Sequence, residues 1–165
     1  MAAGLRNLAD SGMEIRRLTG LDPGQLSRLV RYGRESLGDA APDEWMLPVI
    51  AAFGYLFVGR IDGTIAGSAQ VFRCRQEGDL YMDAFYIRPD RRRRGMGRAM
   101  LEGVMEHLSL EGYHRLLVTA APGNREATAL YETAGFGEVE VLEDFYGAGR
   151  QRLLLAAPLT GGGGR

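Results

Sequence analysis

Apolar and polar positions change period several times along the chain, and each change marks an element. Met13–Leu18 alternates as a short strand. Asp22-Pro23-Gly24-Gln25 then offers a helix start: Asp22 can cap, Pro23 suits the first helical position, and Gln25 completes a capping box. Leu26, Leu29, Val30 and Leu37 follow at helical spacing. A second helical segment is expected over Pro42–Phe53 and carries the single tryptophan, Trp45.

Tyr55–Ile61 and Thr64–Phe72 flank Asp62-Gly63, a hairpin signal. Leu80–Ile87 reads as the next strand, entered through Glu77-Gly78-Asp79 and stopped by Pro89. From Gly97 the period becomes helical. Met100, Leu101, Val104, Met105 and Leu108 form one stripe, and Glu102, Glu106 and Glu111 are expected to face away. Tyr113–Thr119 is a buried-looking strand, 125–134 a helix closed by Gly135, and Phe136–Phe145 and Gln151–Ala157 are the final strands. Without internal repeat or interior linker, the pattern predicts a flexible leader over 1–12, one mixed-sheet α/β domain over 13–158, and a flexible Gly-rich tail over 159–165.

Composition narrows the chemistry. With 165 residues, 45% hydrophobic and 25% charged, the chain has room for one real core. The net charge of −1 makes any polyanion-binding feature a local one. All 20 basic residues are arginine. Cys74 is the only cysteine, which excludes an internal disulfide and reads as a small buried apolar residue. His107 and His114 lack metal-ligand spacing, so no metal is expected. No apolar run approaches the ~18 residues of a membrane span, and no signal-peptide pattern opens the chain; the expectation is a cytoplasmic protein with no membrane partner.

The charge is concentrated in one place. "RRRRGMGRAM", Arg91–Met100, joins the end of a strand to the start of a helix. A helix N-terminus exposes unpaired N–H groups and the positive end of its dipole, which favours phosphate. Gly95 and Gly97 remove side chains that would hold a ligand away from those donors, and the guanidinium groups add charge around it. The loop is not a nucleoside-triphosphate P-loop, since Gly-x-x-x-x-Gly-Lys-Ser/Thr is absent. A solvated charge run, a nucleic-acid patch or an ordinary tight turn are the competing readings.

Arg92-x-x-Gly95-x-Gly97 resembles the Arg/Gln-x-x-Gly-x-Gly/Ala signature of the GNAT superfamily of acetyl-CoA-dependent N-acyltransferases. The surrounding "YMDAFYIRPDRRRRGMGRAML" resembles that family's fourth strand, pyrophosphate loop and third helix. "NREATALYETAGF" resembles its Asn-x₆-Tyr-Glu-x-x-Gly-Phe segment, with Asn124 and Tyr131 at the family's spacing. The resemblance implies a central, mostly antiparallel twisted sheet of about seven strands flanked by about four helices, with the fourth and fifth strands splayed apart. It further implies that a pantetheine arm pairs with the backbone of Phe85 and Ile87. Arg92, Arg93, Arg94, Gly95, Met96, Gly97 and Arg98 would wrap the pyrophosphate mainly through main-chain N–H groups. Asn124 would touch the pantetheine side or cap its helix. Tyr131 would act as general acid for the departing thiolate, or else pack as an ordinary aromatic beside Ala127 and Leu130.

One position departs from the family pattern. Members that acetylate ribosomal-protein N-termini carry a Glu base five residues before the Asn, and Thr119 stands there in this chain. Asp83, alternating with Phe85 and Ile87, is the nearest carboxylate substitute; a structural hydrogen-bond role for it, or a water chain to solvent, are the alternatives. Trp45 and Tyr146 are candidate walls of an acceptor site, with core packing the alternative for Trp45. The implied activity is direct acetyl transfer from acetyl-CoA to a primary amine of a small molecule or peptide, in a monomer or homodimer. The rivals are a CoA-binding module without chemistry and an arginine-patch nucleic-acid binder.

Overall fold

The computed structural model describes residues 11–160; positions 1–10 of the expected leader and 161–165 of the expected tail lie outside the described residues. In chain order the elements are β1 (Glu14–Leu18), α1 (Pro23–Leu37), a 3₁₀ turn (Gly38–Ala40), α2 (Met46–Phe53), β2 (Tyr55–Ile61), β3 (Thr64–Arg73), β4 (Asp79–Ile87), a 3₁₀ turn (Pro89–Arg91), α3 (Met96–Leu110), β5 (Arg115–Ala120), α4 (Arg125–Thr133), β6 (Gly137–Leu142) and β7 (Arg152–Pro158). The seven strands form one sheet in the order β1-β2-β3-β4-β5-β7-β6. β4 and β5 run parallel, while β1–β2, β2–β3, β5–β7 and β6–β7 pair antiparallel. The mixed, mostly antiparallel sheet with four helices is the architecture expected from the sequence. Among the described residues, contacts gather the chain into two compact units: 11–72 with Met82–Val104, and Arg73–Tyr81 with 105–160.

In the first unit, α1 begins where its capping box dictates. Asp22 Oδ1 accepts the Gln25 N–H at 2.8 Å, and Gln25 Oε1 accepts the Asp22 N–H at 3.1 Å. The apolar stripe of α1 then buries Leu29 and Tyr32 against Leu47, Ile50 and Ala51 of α2 and Leu56, Val58, Ile65 and Tyr86 of the sheet. Full burial of such side chains contributes roughly 1.5–3 kcal/mol apiece, so this cluster adds substantially to the cohesion of the unit. Asp62 and Gly63 have φ of 50° and 75°, the two left-handed residues a type I′ hairpin turn requires. Gly67 answers a different need. A Cβ there would lie 2.5 Å from the Tyr86 carbonyl oxygen and 2.8 Å from the Met100 sulfur, so α3 and β4 approach this strand as closely as they do because it has no side chain.

Two expectations for this unit are corrected. α2 starts at Met46 rather than Pro42, because Asp43 Oδ1 accepts the N–H groups of Trp45 and Met46 at 3.0 and 2.9 Å and so holds the preceding residues in a turn. Glu102 does not face away from the protein. It is half-buried and accepts Arg98 Nε at 2.7 Å, a helical i,i+4 pair.

The second unit is built on β5 and β7, which bury Leu116, Val118, Leu155 and Ala157. Asp79, itself buried, is held by a two-pronged ion pair with Arg115, partners directly opposite in the β4–β5 ladder. The β6–β7 pairing slips register between Glu138 and Glu140. β6 ends at Leu142, short of the expected Phe145. Asp144 has φ of 48° and its Oδ1 accepts the Gly149 N–H at 2.7 Å, so Phe145 and Tyr146 sit in a closed turn.

Candidate active site

β4 supplies the first part of the site. Leu80, Met82, Ala84 and Tyr86 are buried, as are Asp79 and Ile87 at the two ends of the strand, whereas Tyr81 and Phe85 are half-buried and Asp83 is exposed, so only the middle odd-numbered side chains lie on the more open face. Backbone direction alternates as well. At the end of the strand the Arg88 N–H donates to the Ala66 carbonyl at 2.8 Å, whereas at its start the Asp79 carbonyl accepts the N–H of Cys74, the residue after β3, at 3.0 Å, so the parity of the peptide groups that face β3 changes along the strand. The ladder with β5 has its last pair at Tyr81 and Leu117, although β4 continues to Ile87 and β5 to Ala120. Asp83, Phe85 and Ile87 therefore lie beyond the stretch of β4 that pairs with β5. The Ile87 carbonyl is occupied: Arg92 Nε donates to it at 2.9 Å.

The loop after β4 is shaped for an anion. Arg93 has φ of 65°, one of three non-glycine residues in the left-handed region among those described, and Gly95 has φ of 70°. Left-handed residues alternating with ordinary ones turn successive N–H groups to one side of the chain. α3 follows at once. Its first bond runs from the Ala99 N–H to the Gly95 carbonyl at 3.0 Å, which leaves the N–H groups of Met96, Gly97 and Arg98 without a carbonyl inside the helix. A Cβ on Gly95 would meet nothing within 4 Å, so open space lies beside these donors. Pyrophosphate fits this arrangement in charge and in hydrogen-bonding type.

The arginines are not equivalent. Arg91 Nε lies 3.7 Å from Asp90, Arg92 donates to backbone carbonyls, and Arg98 pairs with Glu102. Arg93 and Arg94 are exposed and carry no ion pair among the described residues. A patch for a nucleic-acid backbone needs a field of free cations. This run keeps two.

The candidate proton carriers have distinct surroundings. Asp83 is exposed by area, yet nearby protein displaces enough water to lift its carboxyl above the ordinary carboxylate value. Tyr131 of α4 is 9% exposed and packs against Phe136 with ring centroids 5.4 Å apart. Burial pushes its phenol up to about 12. Asn124 caps α4, its Oδ1 accepting the Ala127 N–H at 3.1 Å. Thr119, five residues before Asn124, has its hydroxyl 2.8 Å from the Tyr81 phenol. Tyr81 is absent from the sequence-based candidates, although its i, i+2 relation to Asp83 was there to be read. Cys74 is half-buried, and burial together with the Asp79 carboxylate raises its thiol, which suits a structural residue.

The proposed acceptor walls are surface residues. Trp45 is 78% exposed, which removes core packing as its role, and Tyr146 is 50% exposed with its ring edge-on to Phe145. Among the described residues, no group of three or more His, Cys, Asp or Glu side chains comes together as a metal site would require, and no helix is long and apolar enough to cross a membrane.

Comparison with known proteins adds to this geometry. The bS18-alanine N-acetyltransferase of Escherichia coli K12, named for ribosomal protein bS18, is 34% identical over 77 residues, covering 45% of this chain and 52% of the relative. The chain thus matches about half the length of that curated relative. The crystal structure of the ribosomal-protein-S18-alanine N-acetyltransferase from Escherichia coli superimposes with a TM-score of 0.75 at 22% identity, over 92% of this chain and 96% of that one. A GNAT-family acetyltransferase from Elizabethkingia anophelis, solved with acetyl-CoA bound, gives a TM-score of 0.69 at 16% identity, over 89% of this chain and 98% of that one. At these identities the structures establish a shared fold. The Acetyltransferase (GNAT) family model matches residues 25–136, the span from the capping box of α1 to the aromatic partner of Tyr131, and the chain belongs to that family.

Proposed function

We propose that this protein is an N-acetyltransferase, moving acetyl from acetyl-CoA directly to the α-amine of a peptide or small molecule. The observation that carries the reading is the loop at the start of α3. Arg93 and Gly95 are both left-handed there, and the first N–H groups of the helix have no intrahelical acceptor. In this reading residues 93–98 receive the pyrophosphate, the Phe85 peptide groups pair with the pantetheine arm, and the Ile87 N–H, whose own carbonyl is taken by Arg92, faces the thioester end of that arm.

Each remaining role follows from one residue's surroundings. The amine nitrogen attacks the thioester carbonyl, and the Ile87 N–H stabilises the developing oxyanion, a contribution of ~3 kcal/mol where such donors have been removed from other enzymes. As the C–S bond breaks, Tyr131 donates its proton to the sulfur and regains one from solvent. Asp83 takes the proton lost by the amine. A carboxyl raised by desolvation is a better base than an ordinary one. Such a base serves an acceptor that is already partly neutral. Near pH 7 an α-amine is roughly a tenth neutral, and a lysine ε-amine well under a thousandth. The bS18 relative is named as an alanine N-acetyltransferase, and the amine of an alanine is of the first kind.

The test measures thiol release from acetyl-CoA with matched acceptors: an Ala-initiated peptide with no lysine, the same peptide blocked at its N-terminus and carrying lysine, and small α-amines. Turnover dependent on a free α-amine is the expected result. Tight acetyl-CoA binding with no turnover on any amine would instead identify a CoA-binding module.

A further inference from the structure

Arg92 opens the phosphate loop, and its side chain turns away from the helix start that the loop serves. Its Nε donates to the Ile87 carbonyl at 2.9 Å, and its Nη2 donates to the Ser36 carbonyl at 3.3 Å. Ile87 is the last residue of β4, and Ser36 lies in the last turn of α1, where carbonyls have no partner within the helix. The edge formed by Nε and one Nη is the edge with which a guanidinium grips a phosphate in two-pronged fashion. In Arg92 that edge is occupied by two carbonyls from different elements. A positive charge at the C-terminal end of a helix is favourable in its own right, so the arrangement is stable without ligand.

We propose that Arg92 is a positioning residue, joining the end of β4 to the end of α1 through these two carbonyls and thereby holding residues 93–97 in their anion-receiving shape. The inference rests on the cofactor reading given above for that loop. It assigns the first arginine of the signature a function that depends on its donors, with its charge on the pyrophosphate secondary. It also links the loop physically to α1, so strain at one is felt at the other.

Three forms of the protein separate donor from charge. In Arg92→Gln the amide nitrogen stands where Arg Nε stood, so it can still donate to Ile87 while lacking both charge and reach to Ser36. In Arg92→Met a methyl group occupies that place and donates nothing. Acetyl-CoA affinity is measured by calorimetry at low and high salt, and amide exchange is followed in the ligand-free proteins over residues 36–41 and 91–97. Losing hydrogen bonds to a charged donor is expected to weaken binding roughly 10- to 100-fold in Arg92→Met. Arg92→Gln should recover a substantial part of that loss. Exchange over 36–41 should quicken in both variants, and exchange over 91–97 more in Met than in Gln.

Equal losses in the Met and Gln variants overturn the proposal, and their fading at high salt would identify a direct charge contact with phosphate. Wild-type affinity in Arg92→Met overturns it too. Should the Met variant fail to fold, Arg92→Gln against wild type still decides. Near-normal affinity with faster exchange over 36–41 supports the proposal, and a large salt-sensitive loss refutes it. A wild-type protein that binds no acetyl-CoA would defeat the cofactor reading alone, because the exchange comparison needs no ligand.

Discussion

The Tyr81 phenol and the Thr119 hydroxyl meet at 2.8 Å, joining β4 to β5 through side chains just where their backbone ladder ends. Thr119 is the residue at which the sequence resemblance leads to the expectation of a Glu. Removing one partner leaves the other short of a bond, so Tyr81→Phe and Thr119→Val should each destabilise the protein by about 1 kcal/mol. The double variant should cost less than the sum, because both changes remove the same interaction. Urea denaturation of the four proteins measures the coupling; strict additivity would mean that the hydroxyls do not depend on one another.

Tyr131→Phe should lower kcat by roughly 10²–10⁴-fold and leave KM for acetyl-CoA nearly unchanged, as expected of a group that acts while the thiolate departs. With its phenol raised to about 12, any alkaline fall in rate from this residue should come well above the ordinary tyrosine value of about 10. Stability carries the same signature. The folded phenol titrates above its unfolded value of about 10, so the unfolded chain ionises first and stability declines as pH rises beyond that value. The Phe variant should lack this contribution.

Asp83→Asn should reduce kcat/KM for an α-amine while acetyl-CoA affinity stays within about twofold of wild type, since no charge on the cofactor is being met. The raised folded value also has a consequence for stability. Between the unfolded carboxylate value of about 3.9 and the higher folded one, the native state holds more protons, so Asp83 lowers stability as pH rises through that window. Thermal melts of the Asn variant should be flatter there. An Asn variant with a wild-type pH–rate profile would reassign the amine's proton to water.

Gly95→Val should weaken acetyl-CoA binding sharply. The side chain would occupy the open space beside the N–H donors, and φ of 70° adds backbone strain of roughly 1–2 kcal/mol. Gly97→Val is expected to act in the same direction. Arg91→Ala should matter far less, because that guanidinium already lies near Asp90. Calorimetry on folded variants checks the order, and unchanged affinity in both glycine variants would refute the assignment of this loop.

Gly67→Ala is expected to damage the fold itself. The added methyl would stand 2.5 Å from the Tyr86 carbonyl, and overpacking of this kind costs typically 1–3 kcal/mol. A lower melting temperature, with normal acetyl-CoA affinity in the folded fraction, is the result to look for.

Features fixed by local chemistry were legible in the sequence. Asp22 and Gln25 form the capping box their spacing announces, and Asp62-Gly63 makes the expected turn, because both depend on residues within reach along the chain. Features fixed by distant partners were not. Nothing near Arg92 in sequence indicates that it ends on Ser36, 56 positions away. The pattern of α2 gave no warning that Trp45 would precede the first turn and stand in solvent, since an Asp43 cap and a helical position look alike in a short apolar run. The odd-numbered face of β4 was visible, but the Tyr81–Thr119 contact depended on where the β4–β5 ladder ends.

The register slip between Glu138 and Glu140 bears on how copies of this protein behave in concentrated solution. β6 is one border of the sheet, and a straight border strand with unpaired peptide groups is a template for self-assembly. A slip breaks the regular repeat that an incoming strand must match, and two carboxylates spaced along the same short strand repel an identical neighbour. The opposite border, β1, carries Glu14, Arg16 and Arg17. Both margins therefore discourage edge-to-edge stacking, and the exposed Val139 of β6, flanked by Glu138 and Glu140, is a poor seed for fibrils.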